Sequence, residues 1–316
     1  MKNRRSIDYL RLSVTDRCNL RCAYCMPRAG IKHKGHSEVL TFEEILKLVN
    51  VFVSLGIKKI RLTGGEPLVR KNLLHLVELL SGIDGIEELS LTTNGITLPS
   101  CAEDLRRAGV KRINISLDTL DRARFESITG SDCIDQVFCG IQKSKKAGFS
   151  SIKLNTVIMR GINDTEIIDF VKFALSNGLV LRFIEFMKST PLWREDRHVP
   201  LKEIMDICAG RFNLKKTENV GPGPAGYYEV EGGGVIGFIK TDENNCANCN
   251  RLRLTSTGEL KACLYETGGL SLREPLRRGV ADAGIAELIA EKMNAKTCVD
   301  YRNFESAKDY MCSVGG

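Results

Sequence analysis

Between Arg11 and about Arg211, short β-branched segments alternate with amphipathic helical segments. The segments predicted as strands are Tyr9–Thr15, Lys59–Thr63, Glu88–Thr93, Arg112–Ser116, Ile152–Val157 and Leu181–Glu185. Strands that alternate with helices indicate a parallel sheet with right-handed crossovers. Six strand–helix units are two short of a closed eightfold barrel. We therefore expect an α/β fold whose main part is an open, incomplete (βα)6 TIM-type barrel.

The pattern changes after Phe212, where the chain becomes richer in turn residues. Gly221–Pro224 resembles a connector, Val235–Ile239 is a predicted strand, and Cys246–Cys263 is predicted to form a loop and hairpin. Two short helices are predicted before a polar tail. The sequence thus predicts two domains, a partial barrel over residues 1–215 and an α+β region over residues 216–316 that closes the barrel.

The composition restricts the classes of protein to which the chain can belong. Hydrophobic residues make up 43% and charged residues 27%, which is typical of a folded protein and excludes dominant disorder. The apolar stretches are strand-length and the N-terminus has no apolar signal region, so we expect a cytoplasmic protein without membrane contact. The net charge of +7 is spread along the chain. This distribution fits a small anionic ligand, and we expect no nucleic-acid partner.

The first group of cysteines, Cys18, Cys22 and Cys25, follows the first predicted strand with the spacing C-x3-C-x2-C. Cysteine clusters in a cytosolic protein hold metal more often than they form disulfides. Three thiolates on one loop could bind three corners of a [4Fe–4S] cube and leave the fourth iron open to a substrate. A zinc knot or unrelated thiols are the alternatives, although zinc usually takes a second cysteine pair that is missing here.

The second group of cysteines, Cys246, Cys249 and Cys263, has the spacing C-x2-C-x13-C. No histidine follows it, so a local zinc site would need Cys298 or Cys312 as its fourth ligand. With three ligands alone, these cysteines would hold a second cluster that has its own open iron.

Cations accompany both cysteine groups. Arg251 and Arg253 lie two apart on a predicted extended segment, so their side chains point the same way, and guanidinium groups suit phosphate oxygens. A solvated surface pair is the alternative. Further cations occupy positions of the barrel strands from which a side chain can point inward: Arg11, Arg61, Lys153 and Arg182. Because a barrel interior is normally apolar, these cations predict a buried anion.

At this point the chain resembles a known family. The cysteine motif after strand one and Gly64-Gly65-Glu66-Pro67 after strand two are similar to those of radical S-adenosylmethionine (SAM) enzymes. Within that superfamily, the whole chain resembles the enzymes that cyclise GTP in the first step of molybdenum cofactor biosynthesis. The matching stretches are Leu10–Asn19, Ile60–Leu68, Leu91–Gly95, Asn114–Asp118, Arg182–Met187 and the terminal Gly315-Gly316.

The resemblance implies two [4Fe–4S] clusters and SAM as cofactors. Cys18, Cys22 and Cys25 would hold the cluster that binds SAM, and Cys246, Cys249 and Cys263 the cluster that faces GTP. The SAM pocket would comprise Tyr24, Gly64, Gly65, Glu66, Ser116 and Met187. The contacts to GTP would come from Arg11, Arg61, Thr92, Lys153, Arg182, Arg251, Leu252 and Arg253. The tail residues Gly315 and Gly316 would reach into the active site. Gly226 departs from the family, in which this loop often carries a basic residue.

The implied activity is that of a radical SAM lyase. A 5′-deoxyadenosyl radical would take hydrogen from ribose C3′ of GTP, and the product would be 3′,8-cyclo-7,8-dihydro-GTP. The implied partners are GTP, an electron donor of flavodoxin or ferredoxin type, cyclic pyranopterin monophosphate synthase as the next enzyme, and a second copy of the chain in a homodimer. Two other interpretations stay open: a two-cluster radical enzyme that modifies a peptide, and a non-enzymatic iron–sulfur or zinc scaffold.

Overall fold

The computed structural model of the 316-residue chain describes residues 6–218, 220, 223–240, 246, 248–297 and 309–315. Its strands are β1 (Tyr9–Ser13), β2 (Lys59–Thr63), β3 (Glu88–Thr93), β4 (Arg112–Ser116), β5 (Ser151–Ile158), β6 (Val180–Glu185), β7 (Leu214–Thr217), β8 (Ala225–Val230), β9 (Val235–Ile239), β10 (Arg251–Leu254), β11 (Glu259–Lys261) and β12 (Leu270–Ser271). These strands form one sheet in the order β12-β11-β10-β1-β2-β3-β4-β5-β6-β9-β8-β7.

The centre of this sheet has the predicted architecture. Strands β1 to β6 lie side by side in sequence order, and each is parallel to the next. The helices are α1 (Phe42–Ser54), α2 (Leu73–Ser81), α3 (Leu98–Arg107), α4 (Arg122–Thr129), α5 (Ile134–Lys146), α6 (Ile167–Asn177), α7 (Leu201–Ala209), α8 (Arg273–Arg277), α9 (Asp282–Asn294) and α10 (Met311–Val314). The α/β fold with a parallel βα core is therefore confirmed. Helices α4, α7 and α10 were not predicted from the sequence.

The later strands extend both edges of the parallel core. Strand β9 pairs with β6 and β10 pairs with β1, both in parallel, while β7, β8, β11 and β12 add antiparallel hairpins. Within the predicted hairpin, a turn at residues 255–258 joins β10 to β11. Strands from both sides of residue 215 thus share one sheet, and the domain boundary at that position stays a prediction. Gly221 and Pro222 of the connector lie outside the described residues.

Local sequence signals account for much of this arrangement. The Thr41 hydroxyl accepts from the Glu44 amide at 3.2 Å, and the Glu44 carboxylate accepts from the Thr41 amide at 2.8 Å. This capping box starts α1 at Phe42. Along β1, Leu10 and Leu12 are fully buried in the hydrophobic core. Because side chains alternate along a strand, Arg11 points to the opposite face. None of the helices in the described part of the chain has the length and apolarity to cross a bilayer.

Candidate active site

A cavity of about 370 Å³ lies at the carboxyl ends of the parallel strands. Its size is within the range of pockets that hold small-molecule ligands. The loops after β1, β2, β3, β4 and β6 all contribute to its wall, as does the region around β10. All six cysteines predicted as cluster ligands line it: Cys18, Cys22, Cys25, Cys246, Cys249 and Cys263. The fold therefore brings the two cysteine groups, which are more than 200 residues apart in sequence, to one chamber.

The first cysteine group lies on a tight loop after β1. The Cys25 amide donates to the Cys22 carbonyl at 2.9 Å, which folds the loop back on itself, and the Leu20 amide donates to the Cys18 sulfur at 3.4 Å. Burial raises the pKa of the Cys18 thiol to about 11. These three cysteines are free thiols, which excludes disulfides among them in this structure.

The donor set of the first cysteine group fits an iron–sulfur cube. Such a cube takes one thiolate per iron, and three cysteine thiols from one loop line the chamber. Among the described residues, no group of three or more His, Cys, Asp or Glu side chains is placed to hold a single metal ion.

The Gly64–Pro67 turn packs directly under the cysteine loop. A Cβ atom at Gly64 would lie 2.5 Å from the Thr15 carbonyl oxygen, and one at Gly65 would lie 2.4 Å from the Arg17 carbonyl oxygen. The structure thus gives these glycines a role in the close approach of two backbone segments. Both glycines also line the cavity, where the SAM pocket is predicted.

The carboxylate of Glu66 is buried and fixed by three donors. It accepts from the Leu68 amide at 3.0 Å, the Thr93 hydroxyl at 2.8 Å and the Asn94 amide at 2.7 Å. Burial raises the pKa of Glu66 to about 7 despite these hydrogen bonds. Glu66 therefore ties the turn after β2 to the end of β3 and still forms part of the cavity wall.

The other residues predicted for the SAM pocket also line the cavity. Tyr24 and Met187 lie in its wall on the loops that follow β1 and β6, and Ser116 lies there as the last residue of β4. The Tyr24 hydroxyl donates to the Asp118 carboxylate at 2.6 Å. Asp118 also accepts from the Val157 amide at 2.8 Å, and burial raises its pKa to about 6. Sequence reasoning missed Asp118, although its position just after β4 was a signal.

The predicted anion-binding cations form a row across three neighbouring strands. The register places Arg253 of β10 beside Arg11 of β1, and Arg11 beside Arg61 of β2. All three line the cavity, together with Arg182, Arg251 and Thr92. The Arg61 side chain is only 8% exposed and that of Arg182 only 7%. The parallel register therefore brings these guanidiniums together on the inner face of the sheet.

The cations have neutral partners. Arg61 donates to the Tyr9 hydroxyl, Arg182 donates to the Asn155 amide oxygen at 2.8 Å, and Arg11 and Arg253 each donate to the Gly315 carbonyl at 3.0 Å. Burial of these positive charges next to one another costs electrostatic free energy, and the pKa values of the guanidiniums show this cost. Burial, followed by the charge of Arg251, lowers the pKa of Arg253 to about 10. Burial, followed by Arg253, lowers that of Arg11 well below its usual value.

Two polar atoms on this wall are buried without a hydrogen-bond partner, Arg61 Nη1 and Thr92 Oγ1. A buried donor without a partner costs about 1–3 kcal/mol. A polyanion in the cavity would supply acceptors for the guanidinium and neutralise the crowded positive charge. The wall therefore fits a ligand with several phosphate oxygens.

Two residues predicted to contact GTP are not in the cavity wall. Lys153 is 4% exposed and donates to the Tyr227 hydroxyl at 2.8 Å and to the Val220 carbonyl at 3.3 Å. Leu252 is fully buried in the hydrophobic core, because its side chain points away from those of Arg251 and Arg253. Contacts from these two residues stay predictions.

The second cysteine group lies beside its own cations. The Cys249 amide donates to the Cys246 carbonyl at 3.1 Å, which closes a turn before β10. Burial raises the pKa of Cys249, but Arg251 and Lys296 outweigh it and bring the value down to about 7. The Lys296 ammonium donates to the Arg251 carbonyl at 2.8 Å and also to the Ala262 carbonyl. Lys296 thus links the segments that carry Cys249 and Cys263, and sequence reasoning missed it.

The C-terminal tail enters this region. Gly315 reaches Arg11 and Arg253, and Cys312 and Met311 line the cavity. Cys312, one candidate for a fourth ligand of the second group, instead lies next to Cys25 of the first group. Gly316 and the other candidate, Cys298, lie outside the described residues.

Comparisons with known proteins agree with this geometry. A family model described as the Radical SAM superfamily matches residues 12–174, and one described as Molybdenum Cofactor Synthesis C matches residues 179–300. The fold is similar to the crystal structure of Streptococcus suis SuiB bound to S-adenosylmethionine, with a TM-score of 0.61, 14% identity, and coverage of 96% of this chain and 77% of that chain. The chain therefore belongs to the radical SAM superfamily, whose members use a [4Fe–4S] cluster and SAM.

Closer relatives define the family within that superfamily. A protein named GTP 3′,8-cyclase from Pelotomaculum thermopropionicum is 46% identical over 298 residues, which cover 92% of this chain and 92% of that protein. Another of the same name from Syntrophomonas wolfei subsp. wolfei is 42% identical over 323 residues, which cover 100% of this chain and 99% of that protein. The chain belongs to the GTP 3′,8-cyclase family.

Proposed function

We propose that the protein converts GTP to 3′,8-cyclo-7,8-dihydro-GTP in the first step of molybdenum cofactor biosynthesis. The observation that carries this proposal is one chamber whose wall holds the first cysteine trio and a row of buried arginines that lies beside the second trio. Such a chamber can hold a radical-generating cofactor and a triphosphate next to each other.

At one end, Cys18, Cys22 and Cys25 would hold the [4Fe–4S] cluster and leave one iron free. Support comes from their shared loop after β1 and their free thiols. SAM would lie against Tyr24, Gly64, Gly65, Glu66, Ser116 and Met187, which line the same part of the wall. The hydrogen bond of Tyr24 to Asp118 fixes the aromatic ring between the loops after β1 and β4.

At the other end, Arg11, Arg61, Arg182, Arg251 and Arg253 would bind the triphosphate. One guanidinium can donate two parallel hydrogen bonds to phosphate oxygens, and burial strengthens each of these contacts. Thr92 would donate its hydroxyl to the ligand, since the Oγ1 atom is buried without a partner. Lys153 would add positive charge from behind Tyr227, and Leu252 would contribute through its backbone.

A second [4Fe–4S] cluster is proposed at Cys246, Cys249 and Cys263. All three thiols face the chamber next to the arginines, so its open iron would meet the base of a nucleotide whose phosphates lie on the arginine row. The lowered pKa of Cys249 favours the thiolate that an iron ligand requires.

When bound, the reduced cluster and SAM supply the radical that takes the C3′ hydrogen of GTP, after which C3′ bonds to guanine C8. The residues of the chain fix where this happens. The arginine row and Thr92 would hold the triphosphate in the chamber that also contains the first cysteine group. The chain thereby places the reacting groups next to each other, which is the usual contribution of a protein to cofactor-based chemistry.

The direct test is anaerobic incubation of the reconstituted protein with GTP, SAM and dithionite, followed by mass analysis of the nucleotide. Formation of a cyclised isomer of GTP, together with GTP-dependent 5′-deoxyadenosine, is the expected result. A peptide-modifying enzyme would make no 5′-deoxyadenosine in response to GTP, and a non-enzymatic scaffold would not bind SAM. Either outcome would overturn the proposal.

We propose the remaining partners on the basis of the same family membership. They are a flavodoxin- or ferredoxin-type reductant, cyclic pyranopterin monophosphate synthase as the enzyme that takes the product, and a second copy of the chain. We also propose a cytoplasmic location. Size-exclusion chromatography with light scattering tests the homodimer, since a monomer at all concentrations would exclude it.

A further inference from the structure

The C-terminal helix α10 (Met311–Val314) is held at the first cysteine group by contacts on both sides. Arg11 Nη2 and Arg253 Nη1 donate to the Gly315 carbonyl at 3.0 Å each, and the Ser189 hydroxyl donates to the Met311 sulfur at 3.5 Å. Gly315 has φ +74°, and a Cβ there would lie 2.8 Å from Thr63 Cγ2. These contacts fix the path of the tail, and they therefore also fix the position of the side chain that lies three residues before Gly315.

That side chain is Cys312, which is 2% exposed and lines the cavity with the first cysteine group. Its thiol lies next to the thiol of Cys25, with which it interacts, and it also interacts electrostatically with Cys18. Four cysteine sulfurs thus face the same part of the chamber, three from the loop after β1 and one from the tail. A cube held by the loop has four irons and only three loop ligands.

We propose that Cys312 is an exchangeable fourth ligand of the first cluster in the absence of SAM. Thiolate is the ligand type that iron–sulfur clusters prefer, and the tail brings one next to Cys25. On ligation the Cys312 thiol loses its proton to solvent and its sulfur bonds the open iron, with no change in oxidation state. When SAM arrives, its amine and carboxylate replace the sulfur, and the thiol regains a proton. The proposal rests on the ligand roles proposed above for Cys18, Cys22 and Cys25.

This ligand would protect the resting cluster from loss of its fourth iron. It also connects the two ends of the chamber. Arg11 and Arg253, the proposed triphosphate ligands, hold the tail that carries Cys312. A nucleotide that engages these guanidiniums loosens the tail and frees the iron for SAM. GTP binding and SAM binding would then support each other, as linkage requires.

The test isolates the first cluster by changing Cys246, Cys249 and Cys263 to serine. In that background, the intact tail is compared with Cys312→Ala after anaerobic reconstitution without SAM. Each protein is treated with ferricyanide, and the [3Fe–4S] signal is measured by electron paramagnetic resonance together with iron per chain. Cys139→Ser, which removes an exposed thiol on α5, is the matched control.

The protein with the intact tail, and the Cys139→Ser control, should keep four irons, while Cys312→Ala should form the three-iron cluster unless SAM is present. Equal yields of the three-iron cluster with and without Cys312 would overturn the proposal. An iron content near zero in both proteins would instead show that the first three cysteines are not ligands, which overturns this proposal and the ligand assignment together.

A second readout is the affinity for SAM, measured by equilibrium dialysis without GTP. If Cys312 ligates the cluster in about nine-tenths of the resting protein, the apparent Kd for SAM should be about tenfold lower in Cys312→Ala. An unchanged Kd would show that Cys312 does not compete with SAM.

Discussion

Lys153 should make GTP binding depend on pH near neutrality. The side chain is 4% exposed, and burial, followed by the charges of Arg182, Arg112 and Arg61, lowers its pKa to about 7. A bound triphosphate favours the charged form of the lysine, so GTP binding raises this pKa and takes up a proton. Because the pKa is depressed in the free protein and restored in the complex, affinity for GTP should fall as the pH rises through about 7.

The size of the effect follows from that pKa. Above this pKa, each pH unit reduces the free energy of GTP binding by at most about 1.4 kcal/mol, which is a factor of about ten in the Kd for GTP. Between about pH 7 and about pH 8.5, the Kd for GTP should therefore rise about 15-fold. Equilibrium dialysis with labelled GTP, at constant ionic strength and without SAM, measures this directly.

Lys153→Arg is the matched control, since a guanidinium stays charged throughout this range. Any ionisation of GTP itself affects both proteins equally, so the difference between their slopes belongs to Lys153. The variant should show a flat profile after this correction. Parallel profiles for the two proteins would refute the reasoning, because the lysine would then be charged already in the absence of nucleotide.

Three further substitutions probe the proposed site. Arg253→Ala should raise the KM for GTP about 10- to 100-fold, as expected for loss of a charged hydrogen bond, and leave dithionite-driven SAM cleavage intact. Arg194→Ala is the surface control, and a KM for GTP that is unchanged in Arg253→Ala would exclude the phosphate role. Cys22→Ala should abolish both SAM cleavage and cyclisation, and surviving 5′-deoxyadenosine formation would contradict its ligand role. Gly65→Ala places a methyl group 2.4 Å from the Arg17 carbonyl oxygen, so it should reduce iron at the first cluster and lower Tm; normal values of both would show that the two segments can separate.

The parallel core was predictable because its signals are local. Five of the six barrel strands contain β-branched residues, β1 alternates leucines with polar residues, and the capping box at Thr41 marks where α1 begins. The pairing of β9 with β6 and of β10 with β1 was not predictable, since it joins segments far apart in sequence. Helix α7 was missed because it follows a polar segment and its N-cap, Pro200, makes no side-chain capping bond.

The site was predictable where one sequence segment carries the whole chemistry. The cysteine loop after β1 and the paired arginines of β10 are of this kind, and the structure brings them to one chamber. The partners of these groups were not predictable. Tyr9 beside Arg61, Asn155 beside Arg182 and Cys312 beside Cys25 depend on strand register and on the path of the tail.

The arginine row has a consequence for how the two ends of the chamber communicate. Buried cations with neutral partners destabilise the fold, and each unit of lowered pKa corresponds to about 1.4 kcal/mol. The Gly315 carbonyl offsets part of this cost because it accepts from two guanidiniums at once. If Arg11 and Arg253 bind the triphosphate as proposed, its charged oxygens are the stronger acceptors and would compete with the tail. The same two guanidiniums would then hold the tail in the free protein and the substrate in the complex.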